Sequence, residues 1–162
     1  MLIAKCPNLY FAVFHADLWT LVGCKGIAVN PNLRYFIAGG DDGEQYLIAA
    51  ERYPQYEKAF KKLGIRASME VSGTLFLGYK VKDPLYGKEI PVCFDTSIRN
   101  TFGSGINSIC PAHVINDLEI AQNFGLNREG YVDEKGMLTE EAGEDLAGKS
   151  AQREASNIIK EM

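Results

Sequence analysis

Residues 103–126 have the sequence GSGINSICPAHVINDLEIAQNFGL, which predicts a glycine-rich turn, a short strand and then an amphipathic helix. The apolar residues Ile115, Leu118, Ala121 and Phe124 recur at helical spacing, so they predict one face of that helix. Pro111 lies between the strand and the helix, where it favours a change of direction. A strand that passes into a helix through such a turn is typical of a mixed α and β fold.

Polar residues gather where the predicted strand passes into the helix. Gly103 and Gly105 let the backbone approach a ligand or another strand closely. Asn116 is expected to cap the helix, and Asp117 lies in its first turn, where a carboxylate is favoured by the helix dipole and the free N–H groups. Two interpretations of Asp117 remain open: a residue that matches the dipole, or a carboxylate that points into a pocket and binds a cation such as a substrate ammonium.

The rest of the chain predicts strands, tight turns and two further helices. Residues rich in Val, Ile, Tyr and Phe predict extended segments, and the GGDDG turn at residues 39–43 predicts a hairpin. Residues 51–64 predict a helix with lysines in its last turn and a C-terminal glycine. YVDEKGML, residues 131–138, predicts a hairpin turn, and residues 149–162 predict a polar terminal helix. Together they predict one α+β domain over residues 1–162, with a mixed, barrel-like β core and peripheral helices.

Composition and charge exclude some classes of protein. The chain has 162 residues and a net charge of −4, which argues against a protein that coats nucleic acid by charge alone but allows local contact with a strand end. Its four cysteines, at positions 6, 24, 93 and 110, have no C-x-x-C spacing and are expected to be buried apolar residues. No apolar run approaches the ~20 residues that cross a bilayer, and the N-terminus predicts a strand rather than a secretion signal.

Two stretches resemble the connective-polypeptide editing domain of the class Ia aminoacyl-tRNA synthetases for isoleucine, valine and leucine. In residues 103–126 the matching positions are Gly103, Ser104, Gly105, Pro111, Ala112, His113, Asp117, Phe124, Gly125 and Leu126. In HADLWTLVGCKGIAVNP, residues 15–31, they are Trp19, Thr20, Leu21 and residues 27–31. GEQYLIA, DPLYGKEIPV and VDEKGMLTEEAGEDLAGKS follow in the family's order over nearly the whole chain. The tail looks most like isoleucine enzymes, especially organellar ones, with valine and leucine enzymes ranked second and third.

This resemblance implies hydrolysis of the ester of a misacylated tRNA, such as valyl-tRNA for isoleucine. The family's carboxylate at the position of Asp117 holds the substrate's α-ammonium, and its threonine-rich peptide lines the amino-acid pocket, so Asp117 is the expected catalytic residue. The implied partners are the tRNA acceptor end and the remainder of a parent synthetase. No metal, cofactor or membrane is expected. The implied location is intracellular, either cytoplasmic or mitochondrial.

The chain departs from the family within the pocket. His15, Ala16 and Asp17 stand where the family has threonines, and Ser108 stands where isoleucine enzymes have a histidine. We expect Asp117, His15, Asp17, Trp19, Thr20, Ser108 and His113 to be the substrate-binding residues. His15 and Asp17 are either a substitute pair, with His15 as a base near neutral pH, or solvated loop residues. His113 is expected to support the loop rather than to perform catalysis.

The sequence is compatible with three hypotheses about function. The domain is a working editing hydrolase; or it is a degenerate editing domain that acts as a structural module or guides the acceptor end; or it is a free-standing binding domain for another ligand. Deacylation of valyl-tRNA for isoleucine separates the first two. Synthetase motifs on either side of this segment in the gene would argue against the third.

Overall fold

The computed structural model describes residues 2–3, 6–15, 18–41, 43–83, 85–154 and 157. The chain divides into two units. One comprises residues 1–14 and 26–108, and the other comprises residues 15–25 and 109–162. The expectation of one domain over residues 1–162 stays a prediction.

Among the described residues, nine strands form the sheet, and they belong mainly to the first unit. Their bounds are Leu2–Ile3 (β1), Cys6–Phe11 (β2), Gly26–Val29 (β3), Arg34–Gly39 (β4), Gln45–Ala49 (β5), Arg66–Ser72 (β6), Lys80–Lys82 (β7), Glu89–Phe94 (β8) and Ile106–Ile109 (β9). The strand order is β6-β4-β5-β2-β1-β7-β8-β3-β9. β2 pairs with β5 and β3 with β8 in parallel, whereas β4 is antiparallel to both β5 and β6. The predicted α+β class with a mixed β core is confirmed, and the order is open, since the described residues do not pair β6 with β9.

One helix, α1, covers the hairpin of β4 and β5. It spans Tyr53–Lys62 and has Pro54 in its first turn, where the missing N–H costs nothing. Its inner face packs Tyr53 against Ala38 and Ile48 of the sheet and against Ile65. This core fixes α1 on the sheet and turns its lysines away from it. Gly73–Phe76 forms a 3₁₀ helix, at whose N-terminus the Ser72 hydroxyl accepts a hydrogen bond from the Thr74 N–H.

The second unit is built from short elements around a few buried side chains. A 3₁₀ helix spans Leu18–Gly23, α2 spans Asp117–Asn123, and a further 3₁₀ helix spans Glu140–Ala142. The predicted hairpin turn is confirmed by the bridge between Val132 and Leu138. Of the predicted terminal helix, residues 151–154 and 157 are helical, and most of the remainder lies outside the described residues.

The cysteines behave as buried apolar residues where their side chains are described. Cys24, Cys93 and Cys110 are buried, and burial raises the pKa of Cys93 to about 12. The side chain of Cys6 lies outside the described residues. In the part of the chain that the structure describes, no helix is long and apolar enough to cross a membrane.

Candidate functional site

The glycine-rich turn before β9 packs against the sheet. Gly103 and Gly105 have φ values of +59° and +76°, which favour glycine. The Ala49 N–H donates to the Ser104 carbonyl at 2.9 Å, and a Cβ added at Gly105 would collide with the Ala49 side chain. Both features show that the turn approaches the end of β5 closely. Of the two predicted reasons for these glycines, the structure supports close approach to another strand.

A buried arginine holds the same turn. Arg52 is 9% exposed and donates from Nε to the Gly103 carbonyl at 2.8 Å and from Nη1 to the Thr101 carbonyl at 2.9 Å. The Tyr35 hydroxyl donates to the Gly105 carbonyl at 2.9 Å. The turn is therefore fixed by side chains of β4 and of the residue that precedes α1.

Asp117 closes the turn that follows β9. Its Oδ2 accepts a hydrogen bond from the Cys110 N–H at 2.7 Å, while the Cys110 carbonyl accepts from the N–H groups of His113 and Val114, both at 2.9 Å. The carboxylate is thus tied to the main chain seven residues earlier. A half-buried carboxylate held in this way has a defined orientation, as a group that must hold a ligand requires.

The predicted cap of α2 is wrong in one respect. Asn116 occupies the N-cap position but makes no side-chain cap hydrogen bond. Its backbone is already helical, with φ −67° and ψ −20°, whereas a capping side chain usually projects from an extended residue. Asp117, the next residue, instead accepts the backbone N–H from the turn.

The His113 ring is packed into the turn that follows β9. Its imidazole contacts the Trp19 ring edge-on, at 4.9 Å between centroids. A Cβ added at Gly23 would lie 2.8 Å from His113 Cδ2, and one added at Gly130 would lie 3.5 Å from Cε1. Its Nε2 is buried and has no hydrogen-bond partner among the described residues. This environment agrees with the expectation that His113 supports the loop.

Lys25 is a neighbour of this histidine that the sequence does not reveal. Its ammonium lies 4.0 Å from the centroid of the Tyr131 ring, and its N–H donates to the Ile109 carbonyl at 2.9 Å. Burial lowers the pKa of His113, and the positive charge of Lys25 lowers it further. The sequence does not indicate this role of Lys25, because a single lysine after a loop has no pattern that distinguishes it from a solvent-exposed lysine.

Other predicted pocket residues occupy the segment before Lys25. Trp19 and Thr20 lie in the 3₁₀ helix Leu18–Gly23, and Thr20 is 7% exposed. His15 is half-buried, and burial lowers its pKa to about 4, so its imidazole is neutral at pH 7 and is a weaker base than a solvated histidine. Asp17 lies outside the described residues, so its pairing with His15 stays a prediction.

The structure brings together only part of the predicted set. In the second unit, Trp19 contacts His113, and His113 and Asp117 both bond to the main chain of Cys110. Ser108 is half-buried in β9 and belongs to the other unit. Among the described residues, no three His, Cys, Asp or Glu side chains are grouped so that they could hold a metal ion.

Comparison with known proteins finds relatives among the isoleucine–tRNA ligases. No protein-family model matches the chain. The chain is 28% identical to isoleucine–tRNA ligase of Prochlorococcus marinus subsp. pastoris over 160 residues. That alignment covers 98% of this chain and 16% of the ligase. It is 30% identical over 158 residues to the isoleucine–tRNA ligase of Prochlorococcus marinus strain NATL2A, and this alignment covers 96% of this chain and 16% of the relative. The chain therefore spans about one sixth of the length of the curated relatives it matches.

Solved structures support the same fold. The crystal structure of GlLeuRS-CP1 matches with a TM-score of 0.75 and 16% identity, covering 96% of this chain and 82% of that one. The editing domain of Plasmodium falciparum cytosolic leucyl-tRNA synthetase, with insertions 1 and 3 deleted, matches with a TM-score of 0.66 and 10% identity, covering 94% and 75%. The predicted resemblance to class Ia synthetase editing domains and the predicted fold are both confirmed.

Proposed function

We propose that residues 1–162 form one editing domain, which hydrolyses the ester of a misacylated tRNA, with valyl-tRNA for isoleucine as its substrate. The observation that carries this proposal is the Asp117 carboxylate, which the Cys110 N–H holds at 2.7 Å in the turn that matches the family motif. The similarity of nearly the whole chain to isoleucine–tRNA ligases supports the choice of isoleucine.

The need for a second site follows from the energetics of recognition. A binding pocket that accepts isoleucine rejects valine by only about 1–3 kcal/mol, because the two differ by one methylene. A separate site that destroys the wrong ester raises the discrimination. Hydrolysis at that site adds water across the ester and yields a free amino acid and a free ribose hydroxyl on the 3′-terminal adenosine.

Asp117 acts by binding rather than by proton transfer. Its carboxylate accepts a charge-assisted hydrogen bond from the α-ammonium of the esterified amino acid, and such bonds are about twice as strong as neutral ones. Because the Cys110 N–H fixes Oδ2, the ester is held in one pose for attack by water. An anchored pose reduces the entropy that must be lost on the way to the transition state.

The remaining predicted residues shape the pocket around this anchor. Trp19, Thr20, His15 and Asp17 are proposed to line the amino-acid side, and His113 is proposed to hold the turn that carries Asp117. The substrate-binding role of Ser108 stays a prediction. The proposed partners are the acceptor end of the tRNA and the remainder of a parent synthetase. The proposed compartment is the cytoplasm or the mitochondrion, where that enzyme would act.

A second candidate is a degenerate editing domain that guides the acceptor end without hydrolysis. Two observations favour it. The threonine-rich peptide is replaced at residues 15–17, and the His113 Nε2 is buried, so this histidine does not offer that nitrogen to a substrate. The two candidates differ only in whether the ester is cleaved.

Single-turnover deacylation separates them. The unaltered chain is mixed with the isoleucine tRNA esterified either with valine or with isoleucine, and loss of the ester is followed over time. We expect the valyl ester to be cleaved faster. Rates equal to the uncatalysed reaction for both esters would support the degenerate domain and refute hydrolysis.

Two substitutions at Asp117 then separate binding from turn closure. Asp117→Asn keeps an oxygen that can accept from the Cys110 N–H but removes the charge, so we expect loss of deacylation with little change in stability. Asp117→Ala also leaves the Cys110 N–H without this acceptor, so we expect loss of deacylation together with about 1–3 kcal/mol of stability. Glu119→Ala is the control, since Glu119 is an exposed acid in the same first turn. Deacylation at the unaltered rate in Asp117→Asn would refute the proposed role.

A further inference from the structure

The outer face of α1 carries a concentration of lysines. Its inner residues Tyr53, Tyr56 and Phe60 pack on the sheet. The opposite side bounds a groove of about 440 Å³ whose lining residues are Pro54, Glu57, Lys58, Lys61 and Lys62. These positions recur at the spacing of three and four residues that defines one helix face. We call Lys58, Lys61 and Lys62 the lysine face.

The charge of this face is only partly neutralised. Lys61 pairs with Glu57 at 2.9 Å, whereas Lys58 and Lys62 make no ion pair with any described residue. The whole chain has a net charge of −4, so a local excess of positive charge runs against its average. The helix dipole accounts for Lys61 and Lys62, which lie in the last turn, but not for Lys58, which lies before it.

The geometry of the face indicates what kind of anion it fits. Lys58 lies three residues before Lys61 and four before Lys62, so its Cβ atom lies about 5–6 Å from theirs and each of these two pairs is adjacent on the helix surface. The aromatic residues of α1 are turned toward the sheet, and among the described residues none that lines the groove is an aromatic on which an unpaired base could stack. Single-stranded RNA is usually bound by stacking, whereas double-stranded RNA is bound through phosphates and shape.

We infer that the lysine face binds the phosphate backbone of a double-stranded RNA stem. This inference rests on the proposed function, which supplies a tRNA as the partner and would make the stem that of its acceptor arm. The contact is independent of sequence, because ammonium groups that neutralise phosphates do not distinguish bases.

The experiment measures tRNA affinity as a function of salt. Binding of the isoleucine tRNA to the unaltered chain is compared with binding to Lys58→Ala/Lys62→Ala between about 50 and 200 mM salt, where phosphate contacts are strongly screened. We expect weaker binding and a salt slope that is smaller by about one unit per lysine removed, hence by about two. The control, Lys82→Ala/Lys135→Ala, makes the same change in charge at two exposed lysines outside α1 and is expected to keep the unaltered slope.

Three results would overturn the inference. One is the same slope in the lysine-face variant as in the unaltered chain, and another is no measurable binding of tRNA by the unaltered chain at the lowest salt. The third is lysine-dependent binding to vesicles of anionic lipid without any change in tRNA binding, which would identify a membrane surface instead. Deacylation is measured on the same samples. If it is absent while lysine-dependent tRNA binding persists, hydrolysis fails and the lysine face stands.

Discussion

Gly23→Ala tests whether His113 is as tightly enclosed as the structure indicates. The added Cβ would lie 2.8 Å from His113 Cδ2 and 2.9 Å from Nε2. Non-bonded carbons prefer a separation of about 3.5–4.0 Å, so the ring would have to move by roughly 0.7 Å or more. Trp19 and Gly130 limit that movement on other sides. Overpacking of this kind costs about 1–3 kcal/mol, and we expect that loss in the free energy of unfolding.

Urea denaturation measures the loss, and Gly39→Ala is the matched control. A Cβ added at Gly39 has as its nearest neighbours the Glu44 carbonyl oxygen at 3.9 Å and the Gln45 Cγ at 4.0 Å, which are ordinary contacts. Replacing such a glycine restricts the unfolded chain, so we expect no loss of stability or a gain of up to about 1 kcal/mol.

A double-mutant cycle identifies the cause of the loss. In a His113→Ala background the ring is gone, so Gly23→Ala should cost little, and the coupling energy between the two sites should lie in the range of about 0.5–3 kcal/mol seen for contacting residues. The reasoning fails if Gly23→Ala costs no more than Gly39→Ala, or if its full cost persists when His113 is absent.

Three further predictions follow from buried polar groups. Asn30→Ala removes a 6% exposed side chain that donates to the Thr96 and Ile98 carbonyls and accepts from the Asn32 N–H. Urea denaturation should show that the free energy of unfolding falls by about 2–4 kcal/mol. Asn127→Ala, at an exposed asparagine, is the control and should leave it nearly unchanged. Burial lowers the pKa of His15 from 6.5 to about 4, so the unfolded chain binds the proton more readily than the folded chain. The free energy of unfolding should therefore fall as the pH drops from 6.5 to 4, by at most about 3 kcal/mol from this group. His15→Gln should flatten that dependence, and an unchanged profile in this variant would contradict the assignment. Lys25→Gln removes the smaller of the two causes that lower the pKa of His113, so an NMR titration should show that pKa move upward, whereas Lys135→Gln should leave it unchanged.

Local patterns with strong chemistry were sufficient to predict much of the fold. Pro54 and the closing lysines predicted α1 within two residues at each end, and the glycines and aspartates of residues 39–43 predicted the hairpin of β4 and β5. These signals depend on a few neighbouring residues, so they predict local structure independently of contacts with distant parts of the chain. The motif order likewise predicted the synthetase fold, because it extends over nearly the whole chain.

The periodic pattern in α2 was less informative. Of the four residues predicted to form one apolar face, Ala121 is buried, whereas Ile115 is 80% exposed and Leu118 and Phe124 are 36% and 39% exposed. The helix begins only at Asp117, so Ile115 lies in the preceding turn and does not follow the helical period. Two turns of helix are too few for periodicity to determine which side is buried.

The contacts within the candidate site could not be predicted, because they join residues that are distant in sequence. Sequence alone does not indicate that Gly23 and Gly130 make room for His113, or that the ammonium of Lys25 lies over the Tyr131 ring. Each of these depends on how loops pack, and a loop's path is set by tertiary contacts rather than by local propensity.

The two interpretations of Asp117 are compatible, and the distinction between them is one of charge. Closing the turn requires only an oxygen that accepts from the Cys110 N–H, which the amide of an asparagine or the hydroxyl of a serine could also offer. Holding an ammonium in a pose for hydrolysis requires the full negative charge, because the charge-assisted bond is the stronger one. If turn closure were the whole role, Asp117→Asn would keep both stability and deacylation. If the carboxylate also anchors the substrate, Asp117→Asn would keep the turn and lose the reaction, so this single substitution separates a structural carboxylate from a functional one.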